Sequence, residues 1–192
     1  MITYSQACLP TRFWIFGRVL QPLTLGHALL LQRIGSPYAP GLQCDRAPGR
    51  GDFLVGLWIC SRPWREAAHG IDGWLARWWV RWMAAYIAIC RVRIPYRELL
   101  WAAYLGEANS VPQFWKDENA TASDSGIPPL LMLKMSLAVN WNKSDSDALD
   151  TPLAQAIWEH CAWLASQGNL NLITERDREV MEELRKRRGG NS

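Results

Sequence analysis

Proline and glycine cut this chain into short helical lengths, and that punctuation limits its fold more than any other feature. There are 11 prolines and 14 glycines in 192 residues, and they fall between apolar runs rather than inside them. Thr24 stands before LGHALLLQRI (25–34), where Leu25, Ala28, Leu29, Leu31 and Ile34 recur at helical spacing. Gly35 sits where a left-handed helix end belongs, and Ser36-Pro37 blocks continuation. SPYAPGLQCDRAPGRG (36–51) reads as loop, and Asp52 as the cap of a second helix, FLVGLWICS, stopped before Pro63. A third helix is expected to start near Trp64 or Ile71 and to run to about Arg91. A fourth should cover Tyr96–Glu107, with Leu99, Leu100, Ala103 and Tyr104 inward.

Pro128-Pro129 opens a fifth helix, LLMLKMSLAVN, because proline costs little in a first turn. Ser144 to Asp147 is an S-x-x-D cap on a short helix, and Thr151-Pro152 opens LAQAIWEHCAWLAS, closed by Gly168. Leu153, Ile157, Cys161 and Leu164 share one face of that last element. Residues 12–20, RFWIFGRVL, read as a short extended lead-in broken at Gly17. Residues 109–127 are polar and turn-rich, an expected exposed loop. Thr174 caps ERDREVMEELRKRR, whose early acids and late bases suit the helix dipole. The pattern predicts an all-α fold: one compact domain of six to seven helices over residues 1–168. A charged, largely solvated helix and tail follow over 169–192.

One segment stands apart. Residues 73–93, GWLARWWVRWMAAYIAICRVR, hold four tryptophans and four arginines with no acid. Leu75, Trp79, Trp82, Met83, Tyr86, Ile87 and Cys90 form a wide apolar side at helical spacing, expected in the core. Trp74, Arg77, Trp78 and Arg81 form a mixed aromatic and cationic side. Its uninterrupted apolar run, Trp82 to Cys90, is nine residues, and a bilayer span needs about twenty. Three readings remain for this segment: a core helix, a membrane-interface helix, and a protein-binding face.

The bulk composition narrows the function classes. Apolar residues make up 49% and charged residues 20%, which excludes a disordered chain. A net charge of +3 implies solubility and weak attraction to polyanions, not dedicated nucleic-acid binding. Five cysteines (Cys8, Cys44, Cys60, Cys90, Cys161) without a CxxC pair read as reduced, mostly buried thiols. The first residues, MITYSQACLPTRF, lack a basic segment followed by an apolar run, so no signal peptide is expected. No phosphate loop, dinucleotide fingerprint, hydrolase elbow or zincin helix occurs. His27, His69 and His160 lack metal-ligand spacing, and the adjacent His160 and Cys161 diverge by about 100° on a helix. The expectation is a protein with no catalytic, cofactor or metal site.

Leu20 to Thr24, Gly35 to Pro37, Asp52 to Ser61 and Asp147 to Leu153 together carry a family resemblance. They match the pattern of an L-x-P-L-[ST] lead-in, a helix ended by Gly-Ser-Pro, an acid-capped apolar helix, and an A-L-D-x-P-L turn. In these features the chain resembles tail assembly chaperone-like proteins of tailed phages and prophages, encoded between the major tail protein and the tape measure protein. The resemblance implies a non-catalytic role in the cytoplasm of a bacterial host. The implied partners are the tape measure protein, whose apolar helical stripes would be shielded, and the major tail protein, whose tube subunits would be recruited. It implies no nucleic-acid partner and no stable membrane insertion. On this view Trp74, Arg77, Trp78 and Arg81 are the expected partner contacts. A structural tail-completion or connector protein is the alternative within the same assembly, and a membrane-interacting protein using 73–93 is the further one.

Overall fold

Backbone hydrogen bonds join the two sequence motifs that punctuate the chain most sharply. In the computed structural model, the Leu25 amide donates to the Thr151 carbonyl at 3.0 Å, and the Leu153 amide to the Leu23 carbonyl at 2.7 Å. Thr24 and Pro152 form an antiparallel bridge. Segments 23–25 and 151–153 thus start two distant helices from one shared strip of paired backbone, which satisfies amides that helix starts otherwise leave open. The structure describes residues 11–40, 47–89, 94–112 and 128–168, with Asp177 and Val180 beyond them.

The lead-in is a two-stranded antiparallel hairpin, β1 (Trp14–Ile15) and β2 (Arg18–Val19), with Ile15 opposite Arg18. Phe16 and Gly17 turn it with φ of +52° and +72°, the left-handed pair that matches strand twist. The helices are α1 (Leu25–Arg33), α2 (Arg50–Cys60), α3 (Trp64–Gly70), α4 (Trp74–Ile89) and α5 (Ile94–Ala108). After them come α6 (Pro129–Asn140), α7 (Asp145–Asp150) and α8 (Leu153–Ser166). The fold is mostly helical and compact, as the punctuation predicts.

Several boundaries differ from the sequence reading, each for a local reason. The expected helix from Trp64 or Ile71 to Arg91 divides into α3 and α4 at Ile71–Gly73, which accounts for one helix more than expected. Asp52 is not the first cap of α2. It sits at the third helical position and accepts the Gly49 amide at 2.9 Å, so Arg50 and Gly51 belong to the helix and not the loop. On α5, Leu99 is 67% exposed and Ala103 is also exposed, while Trp101, Tyr104 and Ala108 are buried. Pro95 falls within the first turn of α5 and does not delay it. Apart from Asp177 and Val180, the charged helix expected after Thr174 lies outside the described residues, as does most of the 109–127 loop.

Three other expected caps appear where the sequence places them. The Thr24 side chain accepts the His27 amide, Gly35 closes α1 with φ +64°, and Ser144 accepts the Asp147 amide at 3.2 Å. His27 completes the first cap in an uncommon way. Its Nε2 donates to the Arg62 carbonyl at 2.8 Å, because a carbonyl can only accept. Its Nδ1 is therefore the acceptor for the Thr24 amide at 3.2 Å. The neutral ring fits this pair of bonds, and burial, the largest cause, holds its pKa below the ordinary 6.5.

Tryptophans set the helix spacings. A side chain on Gly26 would start 2.5 Å from the Trp64 indole, one on Gly70 2.8 Å from Trp58, and one on Gly56 2.9 Å from Trp101. Each ring comes too close to the glycine for a β-carbon, so α3 seats on α1, α2 on α3, and α5 on α2. Trp101 is then ringed by Tyr38, Phe53 and Tyr104 at centroid distances of 5.3–5.8 Å. Trp64 Nε1 and Arg65 both hold Asp150, at 2.6 and 2.7 Å, which ties α3 to α7.

Two outcomes follow from these contacts. Gly26→Ala should lower stability by about 1–3 kcal/mol in denaturant unfolding, because the Trp64 ring cannot retreat. Gly106→Ala, in the same kind of helical setting but facing open space, should raise it by about 0.4–1 kcal/mol. The His27 sign is also fixed. The unfolded chain takes up the proton first, so this contribution is complete above about pH 6.5 and is lost as pH falls toward the lower folded value. Melting temperature should drop by about 2–4 °C per pH unit below that point, and His27→Gln should flatten most of the slope.

Candidate partner-binding surface

α4 packs on α2 through Trp79, with Ala76, Met83 and Ile87 also buried along its inner side. Arg18 of β2 lies over the Trp79 ring at 4.8 Å, which closes this side toward the hairpin. The four residues expected to meet a partner all lie outside. Trp74 is 73% and Trp78 57% exposed, and Arg77 and Arg81 are exposed beside them.

The sequence reading placed Leu75, Trp82 and Tyr86 in the core, and the structure corrects this. Trp82 is 52% exposed, and Leu75 and Tyr86 are exposed as well. Cys90, assigned to the same side, lies outside the described residues. The reason is angular. Trp79, Met83 and Ile87 form one stripe at four-residue spacing and Trp78, Trp82 and Tyr86 another, one position back, so about 100° of helix rotation separates them. α2 covers only the first. The second is a ladder, with Trp78 and Trp82 stacked at 6.4 Å and 16°, and Trp82 and Tyr86 at 5.7 Å and 12°. Trp74 continues the four-residue spacing toward the N-terminus, and Ile89 ends the face 80% exposed.

The scale of this face is large for an uncovered surface. Rings exposed to this degree offer roughly 400–500 Å² of apolar area, at the upper end of what monomeric proteins leave bare. At about 25 cal/mol per Å², covering it would be worth on the order of 10 kcal/mol before association costs. The opening between α4 and the α2–α3 layer adds an apolar pocket of 360 Å³, lined by Val55, Trp58, Ile71, Ala76 and Val80 and rimmed by Arg77 and Arg81. Arg77 reaches the Asp72 carbonyl at 3.5 Å, while the Asp72 carboxylate faces Arg33 at 3.7 Å.

A second cavity of 730 Å³ lies between loop 37–40, the end of α5, the start of α6 and α8. Its walls are mainly apolar, with Asn109 and His160 as polar groups. The sequence reading did not foresee that Ser136 and His160, 24 residues apart, meet at 3.0 Å between Oγ and Nδ1. Asn140 donates to the same Ser136 oxygen at 3.0 Å, so a buried serine and two half-buried side chains form a polar chain joining α6 to α8. Burial alone lowers the His160 pKa, and no carboxylate contributes. Ser136 is 7% exposed and does not line the cavity. This geometry links helices and lacks the oriented base and open nucleophile of acyl-transfer chemistry.

The described thiols are buried. Burial pushes the Cys60 pKa up to about 12, and Cys161 shifts in the same direction. Cys8 and Cys44 lie outside the described residues. Among the described residues no group of three His, Cys, Asp or Glu side chains could hold a metal ion, and no helix is long and apolar enough to cross a membrane. No family model, curated protein or solved structure matches the chain.

The two tryptophan stripes of α4 should separate cleanly in stability measurements. Trp79→Ala should cost about 3–5 kcal/mol through the cavity it leaves. Trp78→Ala and Trp82→Ala should each stay within about 0.5–1 kcal/mol of the parent. Equal losses at Trp79 and Trp82 would show that the ladder is internal packing.

Proposed function

We propose that this chain is a non-catalytic binding module that shields an apolar helical stripe of a partner protein. The exposed Trp78–Trp82–Tyr86 ladder carries the reading. Rigid aromatic rings give large contact area at low entropic cost, and Trp and Arg are the residue types that dominate protein interfaces. A row of rings along one helix accommodates another helix laid against it, with side chains of the incoming helix entering between the steps. Together with the resemblance carried by Leu20 to Thr24 and Asp147 to Leu153, this points to a tail assembly chaperone of a phage or prophage. In that role it would act in the bacterial cytoplasm, cover the helical stripes of a tape measure protein before the tube closes, and recruit major tail protein subunits.

The two motifs that carry the resemblance also meet in the fold. The L-x-P-L-[ST] lead-in and the A-L-D-x-P-L turn, far apart in sequence, pair through the 23–25 and 151–153 backbone. They are thus two halves of one structural feature.

Co-expression with the tape measure protein of the same tail module should raise the soluble yield of that protein several-fold. The Trp78→Ala/Trp82→Ala double variant, folded by circular dichroism, should abolish the gain. An unchanged yield with the parent chain would overturn the proposal.

A further inference from the structure

The ladder and the two arginines beside it share the open side of α4, and together they specify the chemistry of an occupant. We infer that α4 receives an acidic amphipathic helix from another protein. Its apolar stripe lies on Trp78, Trp82 and Tyr86, and carboxylates on one flank meet Arg77 and Arg81. This inference rests on the stripe-shielding reading above and adds the partner's charge.

Two observations decide among occupants. α4 contains two arginines and no carboxylate over Trp74–Ile89, so a second copy laid ladder to ladder brings no counter-charge to them. An antiparallel pair would set arginine against arginine, which costs affinity. The second is that the arginines lie on one side of the ladder. On the other side Leu75 and Tyr86 grade into Trp79 and the core, whereas a helix lying in a bilayer interface carries cations along its whole polar face.

The full chain would be titrated with two helical peptides of about three heptads, each with the same leucine stripe. One carries glutamates beside the stripe and the other lysines, and tryptophan emission gives the dissociation constants. The glutamate peptide should bind at least tenfold tighter, and the gap should narrow as salt is raised. Arg77→Glu/Arg81→Glu, folded by circular dichroism and melting temperature, should invert the preference.

Equal affinities for the two peptides would overturn this inference and leave the shielding reading standing. Failure of both to bind would overturn the two together. Ladder-dependent self-association in sedimentation, or ladder-dependent partition onto phosphatidylglycerol vesicles without peptide discrimination, would replace the acidic helix with a second copy or a membrane surface.

Discussion

The packing depends on indole rings resting directly on helix backbone. Trp64 on Gly26, Trp58 on Gly70 and Trp101 on Gly56 each bring a flat ring to where a β-carbon would otherwise stand. Such a seat fixes the distance between two helices, because ring atoms occupy the space a β-carbon would need. A glycine inside a helix costs about 1 kcal/mol of propensity, and the ring contact more than offsets it. α1, α2, α3 and α5 are located relative to one another by these three joints.

α4 is held differently, and that difference produces the candidate surface. Its attachment to α2 runs through Trp79, Met83 and Ile87 on a single side. Among the described glycines none receives Trp74, Trp78 or Trp82. Their rings stay outside, and Trp78 and Trp82 stack on one another. In one chain the same residue type thus serves two purposes. Where a bare backbone meets it, it locks helices together, and elsewhere it remains available for a partner.

Much of the fold could be read from residues acting locally. Thr24, Gly35, Ser144, Pro129 and Gly168 mark helix ends, and each does so through its own dihedral limits or a hydrogen bond within four residues. Asp52 was misplaced by three positions because an acid at the third helical residue and one at the cap leave the same trace in sequence, both accepting amides of the first turn. Trp101 was overlooked on α5 because Leu99, Leu100 and Ala103 also fit helical spacing. Only the aromatic cage of Tyr38, Phe53 and Tyr104 selects the face that turns inward. Ser136 and His160 carried no signal at all, since their meeting depends on how α6 and α8 pack.

For α4, the sequence by itself determined that an amphipathic helix would form and that it would be too short in apolar length to span a bilayer. It also showed a wide apolar side, because helical periodicity is a property of the local backbone, but it did not divide that side into its two stripes. Which stripe is covered was decided only in three dimensions. Burial depends on the neighbour that arrives, and α2 reaches only the Trp79 stripe. The paired segments 23–25 and 151–153 are likewise recognisable one by one, but their union needs the chain between them to bring two distant helix starts together.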